Sequence, residues 1–226
     1  MEGVRLAALF SGGKDSTFAI QLMEMQGHNV TCLISILPED RYSWLFHTPN
    51  LHLVPKMART MGKELVTEES SGTEEGDLLA LRKALSNLGV EGVVTGALAS
   101  DYQWDRINGV CHDLGLPVHS PLWRKDQRML MEDMISSGLE AMIVVVSAEG
   151  LDASWLGRLI DQEALEELGH LASRFGFNIS GEGGEFETLV LNSPIFGIRF
   201  VPLEMEIELT RDGGRLTVGE IETRME

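Results

Sequence analysis

Six consecutive residues near the start of the chain, Ser11, Gly12, Gly13, Lys14, Asp15 and Ser16, have the side chains and spacing to hold a polyphosphate. Two glycines without Cβ let the backbone approach an anion closely and adopt positive φ. Backbone N–H groups in such a turn converge on one spot, and a helix beginning there adds roughly half a positive charge. Ser11 and Ser16 add hydroxyl donors, and Lys14 a full charge. Asp15 sits oddly beside phosphates unless a magnesium ion bridges the like charges. Its other reading is a helix N-cap. For Lys14 the competing reading is a solvated surface lysine, and for the whole string a tight glycine turn. The spacing is neither GxxxxGK[ST] nor GxGxxG, so this is not one of the two commonest phosphate loops.

Three further strings carry polar groups in short order. Residues 43–50 read SWLFHTPN and include His47. Residues 95–107 read TGALASDYQWDRI and include Gly96, Ser100, Tyr102, Gln103 and Arg106. Residues 181–191 read GEGGEFETLVL and include Glu182, Gly183, Gly184, Glu185, Glu187 and Thr188. Taken alone, the last is a solvated acidic turn, Arg106 a surface helix arginine, and Tyr102 a residue packed at a domain seam. The histidines form no HxxxH or HxH pair, and Cys32 and Cys111 form no CxxC. Cysteine-based metal sites and disulfide frameworks are therefore not expected.

SGGKDS resembles the PP-loop of the ATP pyrophosphatase superfamily, whose members split ATP between the α- and β-phosphates. Together with SWLFHTPN, TGALASDYQWDRI, GEGGEFET, PLWRKDQ at residues 121–127 and LNSPIF at 191–196, it makes nearly the whole chain resemble the diphthine–ammonia ligase family in its short, archaeal-like form. Trp44-Leu45 stands where the family more often has Tyr-Met. The resemblance implies that diphthine on translation elongation factor 2 is amidated to diphthamide, with ATP and ammonium consumed and AMP and pyrophosphate released. It implies ATP, and with it Mg²⁺ at Asp15, as the cofactors.

The same resemblance distributes the residues. Ser11, Gly12, Gly13, Lys14, Asp15, Ser16, His47 and Gly96 would bind ATP. Ser100, Tyr102, Gln103, Arg106, Glu182, Gly183, Gly184, Glu185 and Thr188 would bind substrate. Lys14, Asp15, Glu185 and Glu187 would be catalytic. The glutamates would attract ammonium and take its proton, or else bind magnesium. Glu185 and Glu187 share a face if the strand starts at 185. Trp44, Tyr102, Trp104 and Trp123 are candidates for an aromatic surface that receives the trimethylammonium group of diphthine. Two other readings compete: a PP-loop enzyme that modifies tRNA, and a non-catalytic ATP-binding regulatory module.

These residues need elements to hold them at the ends of strands. Residues 4–10 read as a buried strand running into the glycine turn, and 16–26 as the helix that follows. Strands at 29–37, 64–67, 92–95 and 117–119 alternate with helices at 51–61, 77–88 and 102–114. Such alternation predicts an α/β fold with a parallel sheet covered on both faces. After Ser120 the pattern changes. A helix at 129–137, a strand at 141–146 and a helix at 161–175 precede strands at 187–191, 204–210 and 215–221. Asp212-Gly213-Gly214 is the turn signal between the last two. The reading is a Rossmann-like PP-loop domain of the adenine nucleotide alpha hydrolase type over residues 1–120, then a smaller α+β substrate domain over 121–226.

Composition bounds the partners. The 226 residues carry 18 Lys and Arg against 35 Asp and Glu, a formal charge of −17. Such a surface repels phosphate backbones, so no nucleic-acid partner is expected. No apolar run reaches the ~18 residues of a membrane span, and the N-terminus, with Glu2, does not read as a signal peptide. A cytoplasmic protein with no membrane partner is expected, and a homo-oligomer is compatible with the sequence.

Overall fold

A computed structural model of the chain describes residues 3–38, 50–211 and 213–225. The chain divides into two compact units, one of Met1–Ser11 with Asp15–Trp123, the other of Gly12–Lys14 with Arg124–Glu226.

The first unit is α/β. Its elements are β1 (Arg5–Leu9), α1 (Lys14–Met25), β2 (Asn29–Pro38), a 3₁₀ turn at Leu51–Leu53, α2 (Val54–Thr60), β3 (Glu64–Ser70), α3 (Glu74–Leu85), β4 (Gly92–Val94), α4 (Asp101–Asp113) and β5 (Val118–His119). All four strand pairings are parallel, in the order β3-β2-β1-β4-β5. Leu6, Ala7, Ala8 and Leu9 are consecutive and all buried, as a strand covered on both faces requires. On one face, Ala7, Leu9, Cys32, Ile34 and Ile36 pack with Ala80, Leu81, Ala84 and Leu85 of α3 and Ile107, Val110 and Cys111 of α4. Burial pushes both thiols up to about 11, which keeps them protonated and inert.

The strand order reverses its winding between β1 and β4. Ligands of open α/β sheets bind outside the carboxyl ends of the strands at such a reversal. Residues 11–16 follow β1 and residues 95–100 follow β4, so the topology sets two of the four strings at that point.

Several boundaries differ from the sequence expectation: β8 and β9 begin at Arg199 and Gly213 rather than at 204 and 215, and α3 is shifted towards the N-terminus. α3 starts at Glu74, not Asp77, because Thr73 is its N-cap and accepts the Gly76 N–H at 3.1 Å. Asp77, expected at the start of the helix, lies inside its first turn, is fully buried and accepts the Ser70 hydroxyl.

The second unit contains α5 (Gln127–Ser136), β6 (Glu140–Val146), a 3₁₀ turn at Ala153–Trp155, α6 (Gln162–Phe175), β7 (Phe186–Asn192), β8 (Arg199–Thr210) and β9 (Gly213–Arg224). Its antiparallel sheet has the order β7-β6-β9-β8. Asp126 and Asp161 cap the two helices, and Gly176 closes α6 in the left-handed conformation at φ 79°. The α/β class with an α+β second part, expected from the alternation and its break, is the fold observed.

Candidate functional site

The glycine turn leaves β1 with Gly12 at φ +79°, a conformation that favours glycine. In the first unit, the Ser11 N–H donates to Ser16 Oγ at 3.4 Å, and the two hydroxyls lie 3.3 Å apart. The two serines thus close the turn on each other at the start of α1. Asp15 is the second residue of α1, inside the first turn rather than at the cap. A carboxylate there is favoured by the helix dipole. Gly96 approaches this same turn. A Cβ on it would fall 2.7 Å from the Ser16 backbone nitrogen and 2.8 Å from the Asp15 carbonyl carbon. Only glycine lets the segment after β4 come so near the N-terminus of α1.

In the second unit, Gly12–Lys14 pack on β7. The Val190 N–H donates to the Gly12 carbonyl at 2.9 Å, and the Lys14 N–H donates to Thr188 Oγ1 at 3.1 Å. Lys14 is 4% exposed, with its ammonium 5.5 Å from the centre of the Phe186 ring. That excludes the surface-lysine reading. Burying a lysine costs several kcal/mol unless the charge is compensated.

The loop before β7 is built by its own side chains. Gly181 and Gly184 have φ of 75° and 81°. A Cβ on Gly181 would meet the Phe186 carbonyl oxygen at 2.7 Å. Glu185 Oε1 accepts the Asn178 N–H at 2.8 Å and its side-chain amide at 3.0 Å, while Oε2 accepts the Gly183 N–H at 2.7 Å. β7 begins at Phe186, so Glu185 lies before the strand and its carboxylate turns back onto the loop. Glu187 lies in the strand, opposite Val145. Its Oε2 is buried and has no hydrogen-bond partner among the described residues. Burial raises its carboxyl above the usual carboxylate range, against a smaller opposing pull from Arg215.

α4 carries a third group. Ser100 is its N-cap, accepting the Gln103 N–H at 3.3 Å. Glu74, from the first turn of α3, accepts the Tyr102 hydroxyl and Arg106 Nε. The Arg106 guanidinium lies over the Tyr102 ring, 3.4 Å from its centre. The two hydrogen bonds, Arg106 first, hold the Glu74 carboxyl below its ordinary range, and the bond to Glu74 pushes the Tyr102 phenol up. Trp104 stacks on Trp123 with ring centres 5.4 Å apart and planes 23° from parallel. His47 and Trp44 lie outside the described residues.

Of the expected residues, Ser11, Asp15, Ser16 and Gly96 meet in the first unit, and Gly12, Lys14 and Thr188 in the second. Tyr102 and Arg106 form a separate knot. Glu74, Asn178 and Phe186 take part without being among the residues the sequence singles out. The Thr73 cap three residues ahead of Gly76 signals where Glu74 sits. For Asn178 no sequence pattern announces the contact. Among the described residues, no group of three or more His, Cys, Asp or Glu side chains is arranged to hold a metal ion. Magnesium bound through one carboxylate and the phosphates of a nucleotide needs no such group, and Asp15 fits that mode.

Comparison with known proteins bears on the chain as a whole. Residues 4–118 match the family model described as the diphthamide synthase N-terminal domain, and residues 126–222 match the diphthamide synthase C-terminal domain. The human diphthine–ammonia ligase is 34% identical, with 90% of this chain and 85% of that protein covered. The zebrafish diphthine–ammonia ligase is 34% identical over 96% of this chain and 93% of its own length. The fission yeast protein of the same name is also 34% identical, but only 37% of its longer chain is covered. A solved structure from Methanocaldococcus jannaschii, titled "predicted subunit of tRNA methyltransferase", overlaps 84% of this chain and 98% of its own at 15% identity and a TM-score of 0.45, too remote to carry an argument. With both of its domain models matched in order, and relatives of a third identity aligned almost end to end, the chain belongs to the diphthamide synthase family.

Proposed function

We infer that this chain is a diphthine–ammonia ligase, which uses ATP to convert the carboxylate of diphthine into an amide with ammonium as the nitrogen donor. The observation that supports this most is the buried Lys14 held inside the glycine turn by Thr188 and Phe186. It accounts for why a phosphate-binding loop and the GEGGEFET string occur in one chain.

A carboxylate does not react with ammonia, because the leaving group would be oxide. Attack of the carboxylate oxygen on the α-phosphorus of ATP, with loss of pyrophosphate, converts that oxygen into part of AMP. The turn at residues 11–16 grips the departing phosphates, with N–H groups and the Ser11 and Ser16 hydroxyls as donors and Lys14 as the neutralising charge. Asp15 would hold the magnesium that accompanies ATP. Ammonia then attacks the acyl carbon, AMP departs, and the surplus proton needs a base. Glu187 suits that role, because its raised affinity for a proton brings it nearer to neutral pH and it carries a buried oxygen with no partner among the described residues. Glu185 positions the loop that carries Glu182, Gly183 and Gly184. Arg106, oriented by Glu74, would meet an anionic part of the substrate. The stacked Trp104 and Trp123 are the aromatic surface for the trimethylammonium group, since the ring of Tyr102 already receives Arg106. The protein substrate is translation elongation factor 2 bearing diphthine, in the cytoplasm.

The test supplies the purified chain with ATP, ammonium and diphthine-bearing elongation factor 2. AMP release should depend on all three, and the modified peptide should show the mass change from acid to amide. AMP formed with tRNA in place of the elongation factor would overturn the reading. So would nucleotide binding with no turnover.

A further inference from the structure

The hairpin of β8 and β9 carries a surface that this chemistry does not use. β8 is the outer strand of its sheet, so along one side its backbone N–H and C=O groups face away from β9. Met205 pairs with Val218, Ile207 with Leu216 and Leu209 with Gly214. Residues directly opposite each other share a face. Val218 and Leu216 are 0% and 2% exposed, whereas Met205, Ile207 and Leu209 are 57%, 51% and 64% exposed. The apolar face of the core therefore runs one strand further than whatever covers it. On the other face, Glu206 pairs with Thr217 and Glu208 with Arg215. Glu204, beside the bulge, lies over Gly219, where a Cβ would come 3.1 Å from its Oε2.

The alternation decides what can pair here. A second copy joined through the centre of β8 meets a conflict whichever way the strand is aligned. Registers that match two or more of the apolar residues set one glutamate against another, and like charges directly opposite are destabilising. Registers that avoid this set methionine, isoleucine or leucine against glutamate. Self-pairing is thus disfavoured by the strand's own sequence, as expected of an edge protected against aggregation. A segment alternating aliphatic with basic residues meets neither conflict. It gains main-chain hydrogen bonds, covers the exposed apolar stripe and neutralises the glutamates. The net charge of −17 favours the same partner at long range.

We propose that the free edge of β8 is a docking strand for an extended segment of another polypeptide, in which lysine or arginine alternates with aliphatic residues. The probe is an eight-residue peptide alternating lysine with valine, with a glutamate–valine peptide as its counterpart. Fluorescence anisotropy should give the basic peptide a Kd on the order of 10–100 µM and an advantage of at least about tenfold over the acidic one. Hydrogen exchange should slow in the peptide covering residues 203–209. Reversing the charges in E204K/E206K/E208K should reverse the preference, and M205S/I207S, at exposed positions, should weaken binding about tenfold without lowering Tm. Equal binding of the two peptides, protection elsewhere in the chain, or no binding at about 1 mM overturns the proposal. A dimer in sedimentation that M205S/I207S abolishes would give the face to a second copy and overturn it as well.

Discussion

Lys14 is buried and Glu187 has one carboxylate oxygen buried, and the physics of each makes a separate prediction. A buried ammonium is worth most where negative charge develops during the reaction. Lys14→Met should lower the rate of AMP release by about 10²–10³-fold, the size typical of losing one such group, while the circular dichroism spectrum is kept. A rate within twofold of the parent would remove Lys14 from the chemistry. For Glu187 the sign follows from linkage. The folded protein holds this proton more tightly than the unfolded chain does, so ionisation disfavours the native state. The penalty is absent below the ordinary glutamate range, grows as pH rises through that range towards the raised native value, and is constant above it. In urea titrations at a series of pH values, Glu187→Gln should match the parent at acid pH and gain on it progressively across that window. If Glu187 is also the base, the acid limb of kcat/KM lies above the usual carboxylate range in the parent and is missing from the residual rate of Glu187→Gln.

At the scale of elements, Ser100 separates a cap from a contact. As the N-cap of α4 its loss in Ser100→Ala should cost about 1 kcal/mol in denaturant titrations, and Ser100→Asp should restore most of it. If Ser100 also touches substrate, the aspartate variant regains stability but not KM. Gly96 tests the approach of the segment after β4 to α1. The methyl of Gly96→Ala has no room beside the Ser16 nitrogen, so a strain of about 1–3 kcal/mol is expected, seen as a lower Tm and a weaker apparent affinity for ATP. These two elements also show what a sequence makes legible. The strand–turn–helix at residues 5–25 is readable because glycines interrupt an apolar run and a helical period follows. Likewise β4 and α4 follow from local pattern. The start of α3 is misread because its apolar period begins a turn after its cap. Pattern also starts β7 a residue late, and alternation alone cannot see Asn178 holding the Glu185 carboxylate on the loop before the strand. Contacts such as Lys14 with Thr188, 174 residues apart, lie beyond any local signal.

Across the whole molecule, the imbalance of 18 basic against 35 acidic residues acts as a field rather than as contacts. Surface ion pairs such as Arg82 with Asp113 and Arg128 with Glu166 join exposed side chains, and each is worth about 0–1 kcal/mol, less in salt. Repulsion among the surplus carboxylates opposes the compact state and is screened over a length of about 10 Å at 0.1 M salt. The two effects have opposite signs in salt, and the excess of negative charge decides between them. Tm should therefore rise as NaCl is taken from about 20 to 500 mM, and KCl should do the same at equal ionic strength. Lowering the pH towards the sequence isoelectric point of about 4.7 should give part of the same gain at low salt, by removing the charges themselves. A Tm that falls with salt would mean that the exposed pairs outweigh the repulsion. The charge-reversed β8 variant E204K/E206K/E208K replaces three negative charges by three positive ones, so its Tm should depend less steeply on salt than that of the parent.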